Sequence, residues 1–352
     1  MPDAPDRPAA PPRLALAGCG AVARLYAGPA LARLAGQGVL AVSALYDPDP
    51  AAVDALKALL PGAEAVPRFD ALLPKADVVL LAGPPRTRAE QGLAALAAGR
   101  AVFAEKPLAA GATAARTLVE AAEAAGVPLG VGLVRRFFPA TAAVRSLLAA
   151  GAIGTVRRVT WFEGGPFAWP VASPAYFSRS AFGGGVTEDI GTHVVDLLAW
   201  WLGPLTLVDA ADDAMGGVDA NARIRLAAGE AAIDVRLSRD WARPNRAVLE
   251  GDRGRLVWDT EDIGAVALEP LDGPPGRLVL DGAPDFVDAY AAQIADFAAA
   301  ARAGRPPRVP ARAGLDAALL VEACRARRRL MDMGWLTDGE RAAAARLAEA
   351  AP

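Results

Sequence analysis

The stretch RLALAGCGAVA, residues 13–23, decides the fold of the N-terminal half of the chain. An apolar strand run leads into a G-x-G-x-x-A turn. In such a turn the first glycine makes the tight bend and the second lets the backbone approach a pyrophosphate, while the small third residue lets a helix pack on the strand. The helix that follows, expected over 22–35, presents free amides and a positive dipole end to the phosphates. The predicted cofactor contacts of this turn are Gly18, Cys19, Gly20, Ala21 and Val22.

An acidic residue, Asp47, stands at the end of a second apolar run, 39–46. A carboxylate there can accept hydrogen bonds from both hydroxyls of an adenosine ribose. The sequence Asp47-Pro48-Asp49 offers two carboxylates and no arginine where a 2′-phosphate would lie, and this favours NAD over NADP as the cofactor. The alternative is that Asp47 caps a helix that begins near Pro48.

Strand runs and helical patterns then alternate as far as Val134, which predicts parallel βαβ units and a doubly wound α/β sheet. Ligands of such sheets bind at the carboxyl ends of the strands. Because Gly18, Asp47, Pro84 and Lys106 all follow strand runs, we expect four loops to converge over one crevice. Strands are expected at 77–82, 101–104 and 128–134, and helices at 87–98 and 111–125. Further cofactor contacts are predicted for Gly83, Pro84, Pro85, Glu105 and Lys106.

Lys106 lies in the triplet Glu105-Lys106-Pro107 at the end of a strand run. A lysine after a strand is most often a solvated surface residue. Here the predicted crevice favours a second interpretation, in which the ammonium group donates hydrogen bonds to a substrate oxygen.

The segment GGGVTEDIGTHVVDLLAWW, residues 183–201, contains His193, the only histidine of the chain. Asp189 and His193 are four residues apart and share one face of the predicted helix. A lone histidine on an apolar helix is usually structural. A functional role is favoured by the acid on the same face, by the glycine run that leaves room for a ligand, and by the upstream cofactor turn. Imidazole also has the unperturbed pKa that suits proton transfer near neutrality.

The C-terminal half has a different pattern, beginning at about Phe137. A helix over 140–149 and a strand over 155–162 precede an aromatic loop, 164–182, which is either a wall for a polyhydroxylated ligand or ordinary loop packing. Later strand runs predict one open, mainly antiparallel sheet, whose apolar face would be covered by a second copy of the chain. These strands are expected at 205–208, 220–226, 231–238, 247–250 and 255–259, with closing helices at 286–303 and 312–329.

The length of 352 residues suggests two domains in a chain of α/β class. We expect a dinucleotide-binding Rossmann domain at 13–136 and a substrate-binding and oligomerisation domain at 137–339. A disordered lead-in, 1–12, and a marginal helical tail, 340–352, flank them.

Composition excludes several classes of partner. The net charge of −3 provides no basic field for nucleic acid or anionic lipid. Two cysteines do not make a disulfide framework, so a reducing compartment, the cytoplasm, is expected. Leu16-Ala17-Gly18-Cys19 resembles a lipoprotein cleavage box, but its apolar stretch begins only at Leu14, too short for a signal peptide. No apolar run is long enough to span a bilayer.

Taken together and in this order, the motifs resemble the glucose–fructose oxidoreductase, inositol dehydrogenase and rhizopine-catabolism (Gfo/Idh/MocA) family, over about 13–329. The motifs are GCGAVA at Gly18, the acid Asp47, AGPP at Ala82, EKP at Glu105, VRRFFP at Val134 and GGGVTEDIGTHVVDL at Gly183. The resemblance implies a Rossmann domain, a C-terminal α/β domain with an open mixed sheet, and homodimers or homotetramers. It also implies NAD(P)-dependent redox chemistry on sugars, cyclitols and related compounds.

The lysine, aspartate and histidine of the family fall on Lys106, Asp189 and His193. Substrate contacts are predicted for Lys106, Arg135, Tyr176, Asp189 and His193. Two positions depart from the family pattern. Arg88 stands where the family often has histidine, which weakens the transfer of a cofactor contact. Val134 stands where it often has asparagine, which removes a polar group near the expected nicotinamide.

The leading hypothesis is hydride transfer between a secondary alcohol and the nicotinamide C4, with His193 as general base and Lys106 stabilising the alkoxide charge. Asp189 would orient the substrate. One rival is a redox-neutral elimination or epimerisation with tightly held NAD. Another is a non-enzymatic dinucleotide-sensing protein, a class that should have lost one or more of these three residues. No metal site is predicted, and the substrate stays open.

Overall fold

Two β-sheets organise the part of the chain that the structure describes, one of six strands and one of nine. The computed structural model describes residues 10–171, 177–178, 184–280 and 285–350, with the side chains of 345 and 347–350 left out. Both the N-terminal parallel sheet and the mixed, mostly antiparallel C-terminal sheet agree with the predicted α/β class.

The first sheet is parallel throughout, in the strand order β3-β2-β1-β4-β5-β6. Its strands are β1 Arg13–Ala17, β2 Ala41–Tyr46, β3 Glu64–Ala65, β4 Val78–Leu81, β5 Ala101–Glu105 and β6 Leu129–Gly132. Apart from Arg13, the residues of β1, β4 and β5 are buried, as expected of strands covered on both faces. The order reverses between β1 and β4, and this switch point is where doubly wound sheets bind their ligands.

The helices around this sheet follow the predicted alternation, with one difference. They are α1 Gly28–Gly36, α2 Pro50–Lys57, α3 Pro85–Ala97 and α4 Ala112–Ala125, with 3₁₀ segments at Phe69–Lys75 and Val134–Phe137. The single helix expected over 22–35 is instead a π-helix, Ala23–Ala27, followed by α1. The amide of Gly28 bonds to the carbonyl of Ala23, five residues earlier. Pro29 has no amide to continue the regular ladder, which accounts for the change of winding.

The second sheet runs β14-β13-β12-β11-β7-β10-β9-β8-β15. Its strands are β7 Val156–Gly164, β8 Thr206–Asp212, β9 Asn221–Ala228, β10 Ala231–Ser238, β11 Arg246–Gly251, β12 Gly254–Asp259, β13 Ala265–Pro270, β14 Gly276–Val279 and β15 Arg328–Leu330. Two neighbouring pairs, β7–β10 and β8–β15, are parallel and the others are antiparallel. The mainly antiparallel sheet is therefore confirmed, while β13, β14 and β15 were not predicted.

The assignment of residues 312–329 to a helix was wrong at its end. The remaining helices of the described ranges are α5 Pro139–Ala149, α6 Val186–Leu202, α7 Phe286–Ala303, α8 Ala311–Ala326 and α9 Asp338–Ala350. Beyond α8 the chain turns into β15, where the guanidinium of Arg328 pairs with the buried carboxylate of Asp212. The predicted helical tail, 340–352, falls mostly within α9.

One face of the second sheet is covered by α6, and the opposite face is charged. Trp161, Trp201 and Trp258 meet on the covered side with ring centroids 5.7–6.0 Å apart. Ion pairs cross the other side, joining Arg223 to Asp234 at 2.5 Å, Arg225 to Asp209 at 2.8 Å and Arg255 to Glu269 at 2.5 Å. The expectation of an apolar outer face was therefore wrong, because outward positions of these strands carry arginines and acids.

The closing helix α7 packs against the N-terminal sheet and its first helices, although it follows the C-terminal sheet in the chain. Its Phe297 lies 5.2 Å, between ring centroids, from Phe103 of β5. The predicted domain limits, 13–136 and 137–339, therefore stay a prediction.

Pro12, which was placed in the disordered lead-in, already accepts a hydrogen bond from the amide of Ala41 at 2.9 Å. Within the described ranges, no helix is both long and apolar enough to cross a bilayer.

Candidate functional site

The glycine turn after β1 is locked against the loop after β4. Gly18 has a φ of +97° and donates to the carbonyl of Tyr46 at 2.8 Å. A Cβ on Gly18 would overlap the amide nitrogen of Gly83 and would lie 2.6 Å from its Cα. A Cβ on Gly20 would meet nothing within 4 Å. The first glycine thus closes the turn, and the second faces open space.

The open side of this turn suits a diphosphate. Gly20, Ala21 and Val22 lie at the start of the helical segment, where amides have no intrahelical acceptor. Amides in this position, with the helix dipole behind them, form an anion site. The residues present therefore fit the pyrophosphate of a dinucleotide cofactor.

Cys19 contributes its backbone to this turn and keeps its thiol inside the protein. Its amide donates to a carboxylate oxygen of Asp47 at 2.7 Å. The Sγ lies 3.7 Å from the carbonyl oxygen of Tyr46. Burial, with a smaller effect of the Asp47 charge, raises the pKa of the thiol to about 12, so it stays protonated at neutral pH. The side chain of Cys19 is therefore a packing group.

Asp47 lies just beyond the end of β2 and beside the glycine turn, and its predicted contact with a ribose stays a prediction. One carboxylate oxygen holds the amide of Cys19, and the other accepts from the amide of Asp49 at 2.9 Å. The alternative that Asp47 caps the next helix is wrong, because Asp49 is the N-cap of α2 and accepts from the amide of Ala51 at 3.0 Å. Asp47 instead links the glycine turn to the end of β2.

The Pro84-Pro85 turn leads straight into α3, and Pro85 is its first residue. Arg88 follows three residues later in α3, and its side chain is buried. Its guanidinium donates to the carbonyls of Gly83, Glu105 and Pro107. Burial lowers the pKa of Arg88 to about 10, opposed by the charge of Glu105, so the group remains a cation at neutral pH.

Glu105 is buried directly before Lys106. Its carboxylate accepts from the amide of Lys106 at 3.2 Å and is hydrogen-bonded to the side chain of Tyr290 on α7. Burial raises the pKa of Glu105, against the opposing charge of Arg88. Its side chain therefore belongs to the protein interior beside the crevice, and its predicted cofactor contact stays a prediction.

Lys106, which follows β5 of the first sheet, and Asp189, which lies on helix α6, come into contact. The ammonium of Lys106 contacts the Asp189 carboxylate and also lies 3.3 Å from the Asp189 carbonyl oxygen. The other carboxylate oxygen of Asp189 is bound by the guanidinium of Arg239. Burial raises the pKa of Asp189, but the two cations outweigh this effect and hold the pKa below its ordinary value. Asp189 is therefore ionised and clamped between two positive groups.

His193 lies one helical turn after Asp189 on α6, as predicted. Among the described residues, its enclosed Nδ1 has no hydrogen-bond partner. Burial first, and then the charges of Lys106 and Arg135, lower its pKa well below the ordinary value of 6.5, with Asp189 opposing them. The ring is therefore neutral at neutral pH, and a neutral imidazole carries one nitrogen able to accept a proton.

Arg135 is close to the site, and both terminal nitrogens of its guanidinium are paired with Glu163. Its guanidinium forms two hydrogen bonds to Glu163, of 2.7 and 2.5 Å. Glu163 also accepts from the indole of Trp161 at 3.3 Å. The predicted direct contact between Arg135 and substrate stays a prediction. Tyr176, which was also predicted to bind substrate, lies outside the described residues, as does Gly183.

The start of α6 is fixed by a glycine and an aspartate. Gly185 has a φ of +108°, and a Cβ there would lie 2.7 Å from the carboxylate carbon of Asp219. That carboxylate accepts from the amide of Thr187 at 2.8 Å and from its hydroxyl at 2.7 Å. Gly185 therefore allows a close approach that begins the helix in a defined register, which places Asp189 and His193.

Two buried ion pairs hold the rest of α6. Asp196 accepts three hydrogen bonds from Arg136, of 2.5 to 3.1 Å, and both side chains are buried. Glu188 pairs with Arg325 of α8. Burial raises the pKa of Asp196 despite the neighbouring cation. These pairs tie α6 to the 3₁₀ segment Val134–Phe137 and to α8.

Comparison with known proteins agrees with this geometry. Residues 13–133 match the model described as "Oxidoreductase family, NAD-binding Rossmann fold", and residues 141–257 match the GFO/IDH/MocA C-terminal domain. An inositol 2-dehydrogenase of Rhizobium meliloti (strain 1021) is 28% identical over 88% of this chain and 95% of its own length. A dTDP-3,4-didehydro-2,6-dideoxy-alpha-D-glucose 3-reductase of Saccharopolyspora spinosa is 31% identical over 71% of this chain and 75% of its own.

The chain belongs to the Gfo/Idh/MocA oxidoreductase family. A solved member is a 3-ketoreductase from Actinomadura kijaniata in complex with NADP and TDP-benzene. It superposes on this Gfo/Idh/MocA chain with a TM-score of 0.80 at 26% identity, covering 91% of this chain and 99% of its own. The predicted family and the NAD-binding fold are thereby confirmed.

Two residues of this Gfo/Idh/MocA site were missed in the sequence. Arg239 follows the end of β10 and meets Asp189 only because β10 pairs with β7 and lies under α6. Tyr290 reaches Glu105 from a helix more than 180 positions away in the chain. Neither residue lies in a local motif. Arg88 did carry a signal, since it departed from the family pattern, but its three carbonyl contacts could not be anticipated.

Proposed function

We propose that this protein is an NAD-dependent oxidoreductase that transfers a hydride between the cofactor and a secondary alcohol of a cyclitol, sugar or sugar-derived substrate. The observation that carries the proposal is the convergence of Lys106, Asp189 and His193 beside the loops that follow β1, β4 and β5. The nicotinamide ring, when bound, supplies the hydride acceptor or donor. The preference for NAD rests on Asp47, whose carboxylate lies against the glycine turn.

His193 acts as the proton acceptor in oxidation and returns the proton in reduction. Its environment keeps the imidazole neutral, because burial and the nearby cations Lys106 and Arg135 oppose a positive charge on the ring. A substrate hydroxyl within reach of the Lys106 ammonium loses its proton more easily, because the cation stabilises the developing negative oxygen. Proton transfer to a positioned imidazole typically contributes about 10² to 10⁴ in rate.

Asp189 holds Lys106 in place and is itself held by Arg239. Such a clamp limits the number of positions that the flexible lysine side chain can take. The same carboxylate, part of which remains exposed, can bind a neighbouring substrate hydroxyl. This gives Asp189 two tasks, orienting the lysine and recognising a polyol.

The reduction of a nucleotide-linked keto sugar is the second candidate. It is favoured by the dTDP-sugar 3-reductase, which is 31% identical in sequence, and by the 3-ketoreductase with NADP and TDP-benzene, which is 26% identical in a superposable structure. Cyclitol oxidation is favoured by the inositol 2-dehydrogenase, 95% of which is matched.

A spectrophotometric screen separates these candidates. Cyclitols, sugars and sugar acids would be tested with NAD and NADP, and keto sugars with the reduced cofactors, following absorbance of the reduced nicotinamide. We expect turnover with NAD and a polyol. Turnover with tightly retained cofactor and no net NADH would support redox-neutral elimination or epimerisation. Dinucleotide binding with no turnover of any compound would support a sensing protein.

We also propose that the protein forms a homodimer or homotetramer through the outer face of the C-terminal sheet and acts in the cytoplasm. In the described chain no helix covers that face, and on it Arg243 stacks over Phe162 at 4.1 Å beside the part-exposed Trp241. Cys19 and Cys324 are both free and buried, in keeping with a reducing compartment. Light scattering after size exclusion tests the assembly, and Arg243→Glu should shift a dimer toward monomer.

A further inference from the structure

Arg88 binds backbone on both sides of Lys106. Its guanidinium donates to the Glu105 carbonyl at 2.6 Å and to the Pro107 carbonyl. Its Nε donates a third hydrogen bond, of 2.9 Å, to the carbonyl oxygen of Gly83 in the loop after β4. The Arg88 side chain therefore links the segment Glu105-Lys106-Pro107 to the loop after β4, which packs against the glycine turn.

These contacts are made inside the protein. Arg88 is 5% exposed, so it has little access to a substrate in the crevice. Hydrogen bonds from a charged donor are stronger than neutral ones, and a low dielectric strengthens them further. The planar guanidinium can hold several carbonyls in fixed directions, whereas a lysine ammonium is a single point charge. The arrangement therefore restrains the peptide units that flank Lys106.

The charge of Arg88 is balanced by its surroundings. Burial lowers the pKa of Arg88 and raises that of Glu105, and the opposite charge of each group partly offsets the effect of burial on the other. Tyr290 is hydrogen-bonded to that carboxylate and anchors it to α7. Tyr290 stacks in turn on Tyr26 of the π-helix, with ring centroids 5.4 Å apart. The segment Glu105-Lys106-Pro107 is thus held from the π-helix after the glycine turn and from α7.

We propose that Arg88 is a positioning residue for Lys106, which sets the lysine ammonium at the reacting oxygen and couples its place to the cofactor loops. The proposal rests on the proposed function, in which Lys106 acts on the substrate oxygen. If Arg88 had a purely structural role, replacing it would change only stability. A positioning role predicts that replacing Arg88 moves the Lys106 side chain while the fold is kept.

The lysine content of the chain allows this to be measured without activity. The sequence has three lysines, Lys57, Lys75 and Lys106. Labelling with ¹³Cε-lysine therefore gives three side-chain signals, and Lys106→Arg assigns the one of interest. Arg88→Gln removes the charge while keeping a donor, and Arg86→Gln, on the exposed neighbouring turn of α3, is the matched control.

We expect the Lys106 signal of Arg88→Gln to move toward the values of the partly exposed Lys57 and Lys75, with Arg86→Gln unchanged. With a polyol substrate, kcat should fall about 10- to 100-fold, because small displacements of reacting groups cost rate on that scale. The KM for NAD should change less, and Arg88→Lys should recover part of kcat. If Arg88→Gln fails to fold, Arg88→Lys is compared with wild type by kcat and by the signal of Lys106.

A folded Arg88→Gln variant with an unmoved Lys106 signal and unchanged kcat would overturn the proposal. A loss of thermal stability with kcat kept would also overturn it and would assign Arg88 a purely structural role. If wild type turns over no polyol, the proposed function fails, whereas the NMR comparison still decides whether Arg88 places Lys106.

Discussion

Two glycines of the same turn should respond to the same substitution in opposite ways. At Gly18 an added methyl group overlaps the backbone of Gly83, which is part of another loop and cannot rotate away. The residue also has a φ of +97°, which costs a residue with a Cβ about 1–2 kcal/mol. Overpacking adds about 1–3 kcal/mol. Gly18→Ala should therefore lower the free energy of unfolding by about 2–5 kcal/mol, a large part of a typical total of about 5–15.

At Gly20 the added methyl group meets no protein atom within 4 Å. Gly20→Ala should unfold at the urea concentration of wild type, within error. The same methyl occupies the space expected for the diphosphate, where overpacking of about 1–3 kcal/mol raises the dissociation constant for NADH about 5- to 150-fold.

The assay pairs urea unfolding with NADH fluorescence titration for both variants. If Gly18→Ala unfolds like wild type, the close approach of the two loops is wrong. If Gly20→Ala binds NADH like wild type, the cofactor does not lie against this turn.

Three further predictions concern α6 and its neighbours. His193→Asn should lose about 10² to 10⁴ in kcat while binding NADH normally, and a fully active variant would refute its role as the base. Because burial and then Lys106 lower the pKa of His193 below its unfolded value of 6.5, the unfolded chain binds more protons in acid. Wild type should therefore lose stability relative to His193→Asn as the pH falls below 6.5 and show no such difference above it, as urea unfolding at several pH values would measure. Arg136→Met should destabilise the fold by about 3–5 kcal/mol by leaving Asp196 unpaired, and Arg136→Met/Asp196→Leu should recover most of that loss.

Most of the fold could be predicted from local sequence patterns. The glycine turn, the acid after β2 and the apolar strand runs each depend on neighbours in sequence, so the parallel sheet and its crevice could be predicted. The π-helix could not, because Pro29 lies within an otherwise regular helical pattern. Strand β15 could not be predicted for a related reason. Its arginine-rich sequence continues a helical pattern, and only pairing with β8 makes it a strand.

The site was predictable as far as its motifs reached. Asp189 and His193 share a helix face by spacing alone, and Lys106 follows a strand whose end points to the crevice. Arg239 and Tyr290 enter through tertiary packing and have no local signal. The prediction that Asp189 serves the substrate did not foresee that two cations already bind it. Charge pairing of this kind depends on how the two sheets face each other.

The measurement that tests the central claim most directly is a crystal structure with NADH. We expect the diphosphate at the amides of Gly20, Ala21 and Val22 and the ribose at Asp47. We also expect the nicotinamide ring beside Lys106 and His193. A cofactor bound with its nicotinamide remote from His193, or no electron density for it at the glycine turn, would contradict the account.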